Sequence, residues 1–377
     1  MKYCLNCLQP DTRPQTIFTK NLCPACKYVL KAKNFDNDSE YLRRFSIIKK
    51  ICNIHKSSNK FDCIIGVSGG KDSTRQALWV REKLGMKPLL ACLSYPPQQV
   101  SERGVNNLSN LINLGFDVVV STPAAEDWRK LMKFSFLKFC NWCKSTEQAL
   151  FSFVPRLAIN FNIPLIFWGE NPGLQLGDLK TKSKNPYDGK NLKNMNTLQG
   201  GMLNWIPYEL KKKISIFPYK YPTSSEFKKK KIKIIFLGWF WKDWSLKQNA
   251  KISIVNGLEI REKKFKNYGD IFRVTSLDED WVTFNQLIKY YKYGFGRATD
   301  YINEDIRMGI ISRADGIKIV KKFDGKYSDR IIENFCKFIN IKPRLFWSVV
   351  KKNVNRKLFY IKKNKILPKF SVGDNFK

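Results

Sequence analysis

Twelve residues constrain this chain more than any others: Asp62-Cys63-Ile64-Ile65-Gly66-Val67-Ser68-Gly69-Gly70-Lys71-Asp72-Ser73. Cys63 to Val67 is the short apolar run of a buried parallel strand. Apolar residues then stop. Ser68, Gly69 and Gly70 offer a turn without bulky side chains, in which glycine can also take a positive φ. Lys71 to Ser73 open a helix that continues as Thr74-Arg75-Gln76-Ala77-Leu78-Trp79-Val80-Arg81. Strand, glycine turn and helix N-terminus aim several backbone N–H groups at one point, at the positive end of the helix dipole. That is an anion site, and phosphate is its usual occupant. Lys71 adds a mobile positive charge, and Ser68 and Ser73 add hydroxyl donors.

The spacing is neither that of the mononucleotide P-loop nor the G-x-G-x-x-G dinucleotide fingerprint. An ordinary glycine-rich strand–helix turn is the bland alternative, against six specified positions in the right context. Residue for residue, Ser68 to Ser73 resembles the SGGxDS loop of the PP-loop ATP pyrophosphatase superfamily. Those enzymes split ATP between the α- and β-phosphates, adenylate an oxygen of the substrate and let a nucleophile displace AMP. The resemblance implies ATP and Mg²⁺, held by Ser68, Gly69, Gly70, Lys71, Asp72 and Ser73, with Lys71, Ser68 and Asp72 in catalysis.

The rest of the core suits that loop. Strand-like runs at Pro88–Tyr95, Asp117–Thr122, Pro164–Gly169 and Lys233–Gly238 alternate with helical stretches at Ser101–Leu114 and Thr146–Asn160. This order predicts an α/β fold, a doubly wound and mostly parallel sheet. Ligands sit at the carboxyl ends of such strands, which makes Ser94 and Thr122 rim residues. The run Trp168-Gly169-Glu170-Asn171 ends a strand in a glycine, an acid and an amide. By the resemblance, Gly169 and Glu170 join Ser94 in binding nucleotide, Asn171 meets the substrate, and Asp178 lies near the magnesium. A helix cap or surface acid is the competing reading of Glu170. Residues 180–204 are polar and read as a mobile loop or lid.

Cys4-x2-Cys7 and Cys23-x2-Cys26 are separated by the fifteen residues Leu8 to Leu22. Two such knuckles predict a four-sulfur Zn²⁺ site held by Cys4, Cys7, Cys23 and Cys26. The site is structural because four ligands leave no open position. Cys140 and Cys143 sit in an aromatic stretch, either as buried core thiols or as two ligands of a [4Fe–4S] cluster, for which Cys336 is the only later third cysteine. His55 is the single histidine and lies in a polar linker, which leaves little room for Ser-His-Asp or Cys-His hydrolysis. The net charge of +36 comes mostly from lysine spread along the chain. That pattern fits the codon usage of an AT-rich genome better than an arginine-rich nucleic-acid surface. No apolar run reaches the roughly 18 residues of a membrane span, and no secretory h-region follows Met1. Ten cysteines in such a chain point to metal or redox chemistry in a cytoplasmic protein.

From Thr283 the pattern turns helical and contains Lys292-Tyr293-Gly294-Phe295-Gly296-Arg297-Ala298-Thr299-Asp300. Its aromatics, glycines and arginines suit a sugar- or phosphate-binding surface, although ordinary helix-surface arginines fit equally well. Together with the four-cysteine ribbon, the SGGKDS loop and WGEN, this run resembles the N-acetyl sugar amidotransferases of bacterial surface-glycan synthesis, from about Met1 to Val320. The resemblance implies conversion of an acetamido group on a nucleotide-activated or nonulosonic sugar into an acetamidino group. Arg297, Arg307 and Arg313 become substrate contacts, and a separate glutaminase supplies ammonia, since the chain has no room for a glutaminase of its own. No nucleic acid is expected as a partner. The rival reading is a tRNA-thiolating PP-loop enzyme with the same adenylation chemistry. The expected organisation is a zinc ribbon at 1–35, the PP-loop domain at 36–255, a mainly helical substrate-binding region at 256–345 and a basic tail at 346–377.

Overall fold

The computed structural model describes residues 1–14, 16–33 (31–33 as backbone alone), 38–56, 61–169, 181, 183–195, 198, 201, 204–261 and 271–374. Glu170, Asn171 and Asp178 lie outside the described residues, as does much of the expected lid. In chain order the elements are α1 (Pro24–Lys33), α2 (Asp38–His55), β1 (Cys63–Gly66), α3 (Lys71–Leu84), β2 (Pro88–Leu93), α4 (Glu102–Asn113) and β3 (Val118–Ser121). There follow α5 (Ala125–Phe139), α6 (Cys143–Asn160), β4 (Leu165–Trp168), α7 (Tyr208–Lys212), α8 (Ser224–Lys229), β5 (Lys233–Phe236) and α9 (Leu246–Val255). The C-terminal part comprises α10 (Val282–Tyr293), α11 (Arg297–Arg307), α12 (Arg313–Phe323), α13 (Asp329–Phe338), α14 (Pro343–Lys352), β6 (Phe359–Lys362) and β7 (Lys365–Pro368).

The fold is α/β. Five parallel strands run in the order β3-β2-β1-β4-β5. The order reverses direction between β1 and β4, so the loop that leaves β1 emerges at the switch point, where open α/β sheets bind ligands. Side chains alternate across the pleat. Cys63 and Ile65 pack with Ile48 and Cys52 of α2 and Ala77, Val80 and Leu84 of α3. Ile64 packs on the opposite face with Val154, Leu157 and Ala158 of α6. Near-continuous apolar strands are what two covered faces demand.

The largest core is aromatic and joins α5 and α6 to the C-terminal helices, through Trp128, Phe136, Trp142, Phe284, Phe335 and Phe346. The stretch from residue 346 begins inside α14 and ends in the antiparallel β6–β7 hairpin. Its Phe346, Phe359 and Phe370 are buried in the same core, so the aromatic half of its composition packs while the lysines stay outside. A fourth cluster holds the four N-terminal cysteines and Leu8 against Ile302 and Ile306 of α11 and Val320 of α12. Among the described residues no helix is long and apolar enough to cross a membrane.

Candidate active site

The segment after β1 makes the turn that its sequence predicts. Gly69 has φ +75°, and a Cβ there would lie 2.8 Å from the Asn107 carbonyl carbon and the Leu108 nitrogen of α4. Only glycine satisfies both the conformation and the close approach. Gly70 is the N-cap of α3 and, as a glycine, brings no capping side chain of its own. The N-terminus of a helix that opens behind two glycines is the kind of place where anions bind. Ser68 is exposed at the turn. Ser73 Oγ donates back to the Gly70 carbonyl at 3.0 Å, and Lys71 Nζ donates to Asp72 Oδ2 at 2.6 Å.

A second helix, α9, fixes this loop, and no motif in the sequence marks it. Ser253 Oγ donates to the Lys71 carbonyl at 2.6 Å. The buried Asn249 donates through Nδ2 to Asp72 Oδ1 at 2.6 Å and accepts from Arg75 Nη1 at 2.7 Å. Arg75 continues to Asp243 Oδ1 at 2.6 Å and lies over the Trp241 ring. The chain Arg75–Asn249–Asp72–Lys71 therefore sets the carboxylate and the ammonium of the loop in one orientation. One signal was available: Asn249 and Ser253 stand four apart, on one face of a helix.

Beside the loop lies a cavity of about 190 Å³, lined by Ser68, Cys92, Leu93, Ser94, Tyr95, Val100, Gly104, Val105, Leu108 and Asp278. The sequence-predicted Ser68 and Ser94 thus share one wall system. Asp278 comes from the C-terminal part, and sequence reasoning missed it. Its segment is stitched to the rim of α4: Ser101 N donates to the Asp278 carbonyl at 2.8 Å, Val100 bridges Glu279, and Arg103 pairs with Asp280 at 2.9 Å. Gly104 permits the approach, since a Cβ there would fall 2.6 Å from Asp278 Cα. Burial raises the Asp278 carboxyl to about 6. Burial, with Asp278 as neighbour, raises Glu279 to about 8, although Glu279 accepts from the Trp281 and Val282 amides at the start of α10.

The three predicted arginines are not brought to one place. Arg297 Nη2 donates to Ser276 Oγ at 2.7 Å, two residues from Asp278, and its charge reaches Asp278 and Cys143. Arg307 Nε is buried without a hydrogen-bond partner among the described residues. Glu304, one turn earlier, accepts from the Leu246 amide at 2.9 Å and lies within the field of Arg307, Asp72 and Lys71, so α11 approaches the Ser68–Ser73 loop. Arg313 is elsewhere: it donates to the Cys7 carbonyl at 3.4 Å and the Gly373 carbonyl at 3.0 Å, on the ribbon. Most of the 292–300 segment serves as an interdomain joint. Lys292 Nζ donates to the Phe139 and Cys140 carbonyls at 2.7 and 3.0 Å, Phe295 is buried, and Asp300 pairs with Arg13 and Lys289. Gly169 ends β4 against Gln76 and Trp244, and its carbonyl accepts from the Gly238 amide at 2.9 Å.

The sulfur atoms of Cys4, Cys7, Cys23 and Cys26 all lie within 4.8 Å of one another, and all four residues are buried. Cys7 Sγ and Cys23 Sγ are 3.7 Å apart. A tetrahedral zinc with ~2.3 Å bonds needs sulfur edges of about 3.8 Å, so the set fits that metal. The Cys23 amide on Cys4 Sγ at 3.3 Å, the Cys26 amide on Cys23 Sγ at 3.4 Å and Asn6 Nδ2 on Cys26 Sγ at 3.4 Å supply the N–H donors that orient thiolates. Cys140, Cys143 and Cys336 are buried in the aromatic core. They do not form a second group: among the described residues the N-terminal four are the only cluster of three or more possible metal ligands.

Residues 262–372 match the family of lipopolysaccharide-biosynthesis proteins described as WbpG-like, C-terminal domain. The match covers the C-terminal third of the chain, which contains Asp278, Arg297, Arg307 and the whole β6–β7 hairpin. Among solved structures, the U34-tRNA thiolase NcsA from Methanococcus maripaludis, determined with its [4Fe-4S] cluster, aligns at 14% identity over 82% of this chain and 86% of that chain. Its TM-score is 0.32, too low to bear on function. No curated protein matches this chain.

Proposed function

We propose that this protein is an ATP-dependent, AMP- and pyrophosphate-forming amidotransferase of lipopolysaccharide biosynthesis that turns a sugar acetamido group into an acetamidino group. The observation that carries the reading is the glycine turn Ser68-Gly69-Gly70-Lys71 at the head of α3, beside a cavity that shares Ser68. The WbpG-like domain against it supports the surface-glycan setting.

An amide carbonyl is a poor electrophile, and its oxygen a worse leaving group. Attack of that oxygen on the α-phosphorus of ATP forms an O–P bond and expels pyrophosphate. Ammonia then adds to the carbon of the resulting imidate, and AMP departs with the former amide oxygen. In this scheme the α3 amides, Lys71 and Ser68 stabilise charge on the leaving phosphates, and Ser73 adds a donor when its hydroxyl turns from the Gly70 carbonyl; Mg²⁺ held by Asp72 would screen that charge further. Asn249 holds Asp72, which holds Lys71, so the donor is oriented before the substrate arrives. Arg297 and Arg307 face the sugar or its phosphates. Zn²⁺ on the four cysteines holds the ribbon against α11, and ammonia comes from a separate glutaminase. Incubating the protein with ATP, ammonium and a panel of acetamido sugars is the test. AMP and pyrophosphate should form together with a product in which nitrogen replaces the amide oxygen. ADP as product, or sulfur transfer to tRNA in place of amidination, would overturn the assignment.

A further inference from the structure

Asp278 belongs to the C-terminal part of the chain, yet it forms one wall of the cavity beside the phosphate loop. The remaining lining is largely apolar, with Leu93, Val100, Val105 and Leu108 contributing side chains. At about 190 Å³ the cavity is smaller than the roughly 300–1,000 Å³ of sites for drug-sized molecules, so it takes one flat ring system and not a whole nucleotide. Ser68 belongs to both the cavity and the loop, which sets the ring at one end of a molecule whose other end reaches the α3 N-terminus. A ring buried there must satisfy its polar edge.

Asp278 is held where it can do so. The contacts of Ser101, Val100 and Arg103 described above fix its backbone, and Gly104 lets it approach α4. Its carboxylate accepts from its own backbone amide, and the charges of Arg261 and Arg297 reach it. A half-buried carboxylate has about four lone-pair sites, so it can accept from a ligand as well.

Building on the reading of the loop as an ATP site, we infer that Asp278 is a base-recognition residue whose carboxylate accepts a hydrogen bond from the exocyclic amine of adenine. The WbpG-like domain thereby completes a nucleotide site begun by the PP-loop domain. A buried acceptor rejects a ligand that presents another acceptor in its place, because the pair is left unsatisfied. Hypoxanthine, with a carbonyl oxygen where adenine carries its amine, is that ligand.

The test is calorimetric binding of α,β-methylene ATP, its hypoxanthine, guanine and 2′-deoxy counterparts, to the full-length protein and to Asp278→Leu and Asp278→Asn. The wild type should prefer adenine over hypoxanthine by about tenfold or more. Asp278→Leu should lose that preference, and Asp278→Asn, which keeps an acceptor oxygen, should retain most of it. The affinity ratio is its own control, because collapse of the cavity would weaken both ligands together and leave the ratio unchanged. An unchanged ratio in Asp278→Leu overturns the inference. So does tighter binding of the guanine analogue, or a loss in Asp278→Leu that matches the loss caused by removing the 2′-hydroxyl. Failure of the wild type to bind any of the four would instead remove the ATP reading itself.

Discussion

Helix α3 and helix α11 both begin behind a glycine and open on a basic residue, Gly70-Lys71 in one case and Gly296-Arg297 in the other. In sequence the two look alike, and both suggest a phosphate. In the structure the two heads are built differently. Asp324 fills the head of α11, accepting from the Gly296 amide at 2.7 Å, the Ala298 amide at 2.9 Å and Thr299 Oγ1 at 2.6 Å. The head of α3 is built otherwise: its cap is a glycine, and Gly69 holds the turn at φ +75° close against α4. A helix N-terminus that the protein has satisfied internally serves as a joint. What closes α11 is a residue 28 positions downstream of Gly296.

The largest effect that would break this contrast is at α3. In the proposed reaction Lys71 would act mainly on charge that develops as pyrophosphate leaves, which would put its contribution in the transition state. Lys71→Ala should lower turnover on the order of 100- to 1000-fold, as removal of one preorganised donor typically does. Steady-state AMP release measures it, with the thermal midpoint as control. A variant with near-normal turnover would place the chemistry elsewhere.

An intermediate effect is expected at α11. Asp324→Ala leaves three donors without an acceptor and should cost about 1–3 kcal/mol of stability. Denaturant titration reads that loss, while the affinity for nucleotide should hold, because the joint lies on the ribbon side of α11. If adding phosphate restored the stability of Asp324→Ala, this helix head too would be an anion site, and the contrast would weaken to one of occupancy.

The same contrast shows what the sequence made legible. Strands and helices of the core were readable because both rest on local signals. Cys63 to Val67 is apolar throughout since both sheet faces are covered, and Gly69 marks the turn because no other residue tolerates that backbone. The four cysteines were readable for a similar reason, as metal spacing is a local pattern. Asp278, Asn249 and Asp324 were not. Each acts on a segment far away in sequence, and a lone Asp or Asn carries no period that says which distant amide or loop it will meet. The 292–300 segment misled for the converse reason. Its glycines and basic residues are real anion-site chemistry, used internally: Lys292 on two carbonyls, Asp300 on Arg13, Asp324 on the helix head. Composition cannot distinguish a polar surface that waits for a ligand from one already matched by the rest of the chain.

The smallest expected effect is at Arg313, where the two readings of that segment separate most cleanly. Its guanidinium donates to the Cys7 carbonyl and the Gly373 carbonyl, tying the cysteine ribbon and the end of the hairpin segment to the start of α12. The first of these bonds is long at 3.4 Å, and both acceptors are neutral. Replacing such a residue removes about 1 kcal/mol at most, since each partner carbonyl can turn to water instead. Arg313→Ala should therefore lower stability slightly and leave KM for the sugar and kcat for AMP release unchanged. Arg307→Ala, one helix earlier and near Glu304, should raise KM or lower kcat without comparable loss of stability. Steady-state kinetics of the two variants, run side by side with denaturant titrations, give KM, kcat and stability for each. A tenfold rise in KM on Arg313→Ala would mean that substrate reaches as far as the ribbon, and the 292–313 segment would then be a binding surface after all.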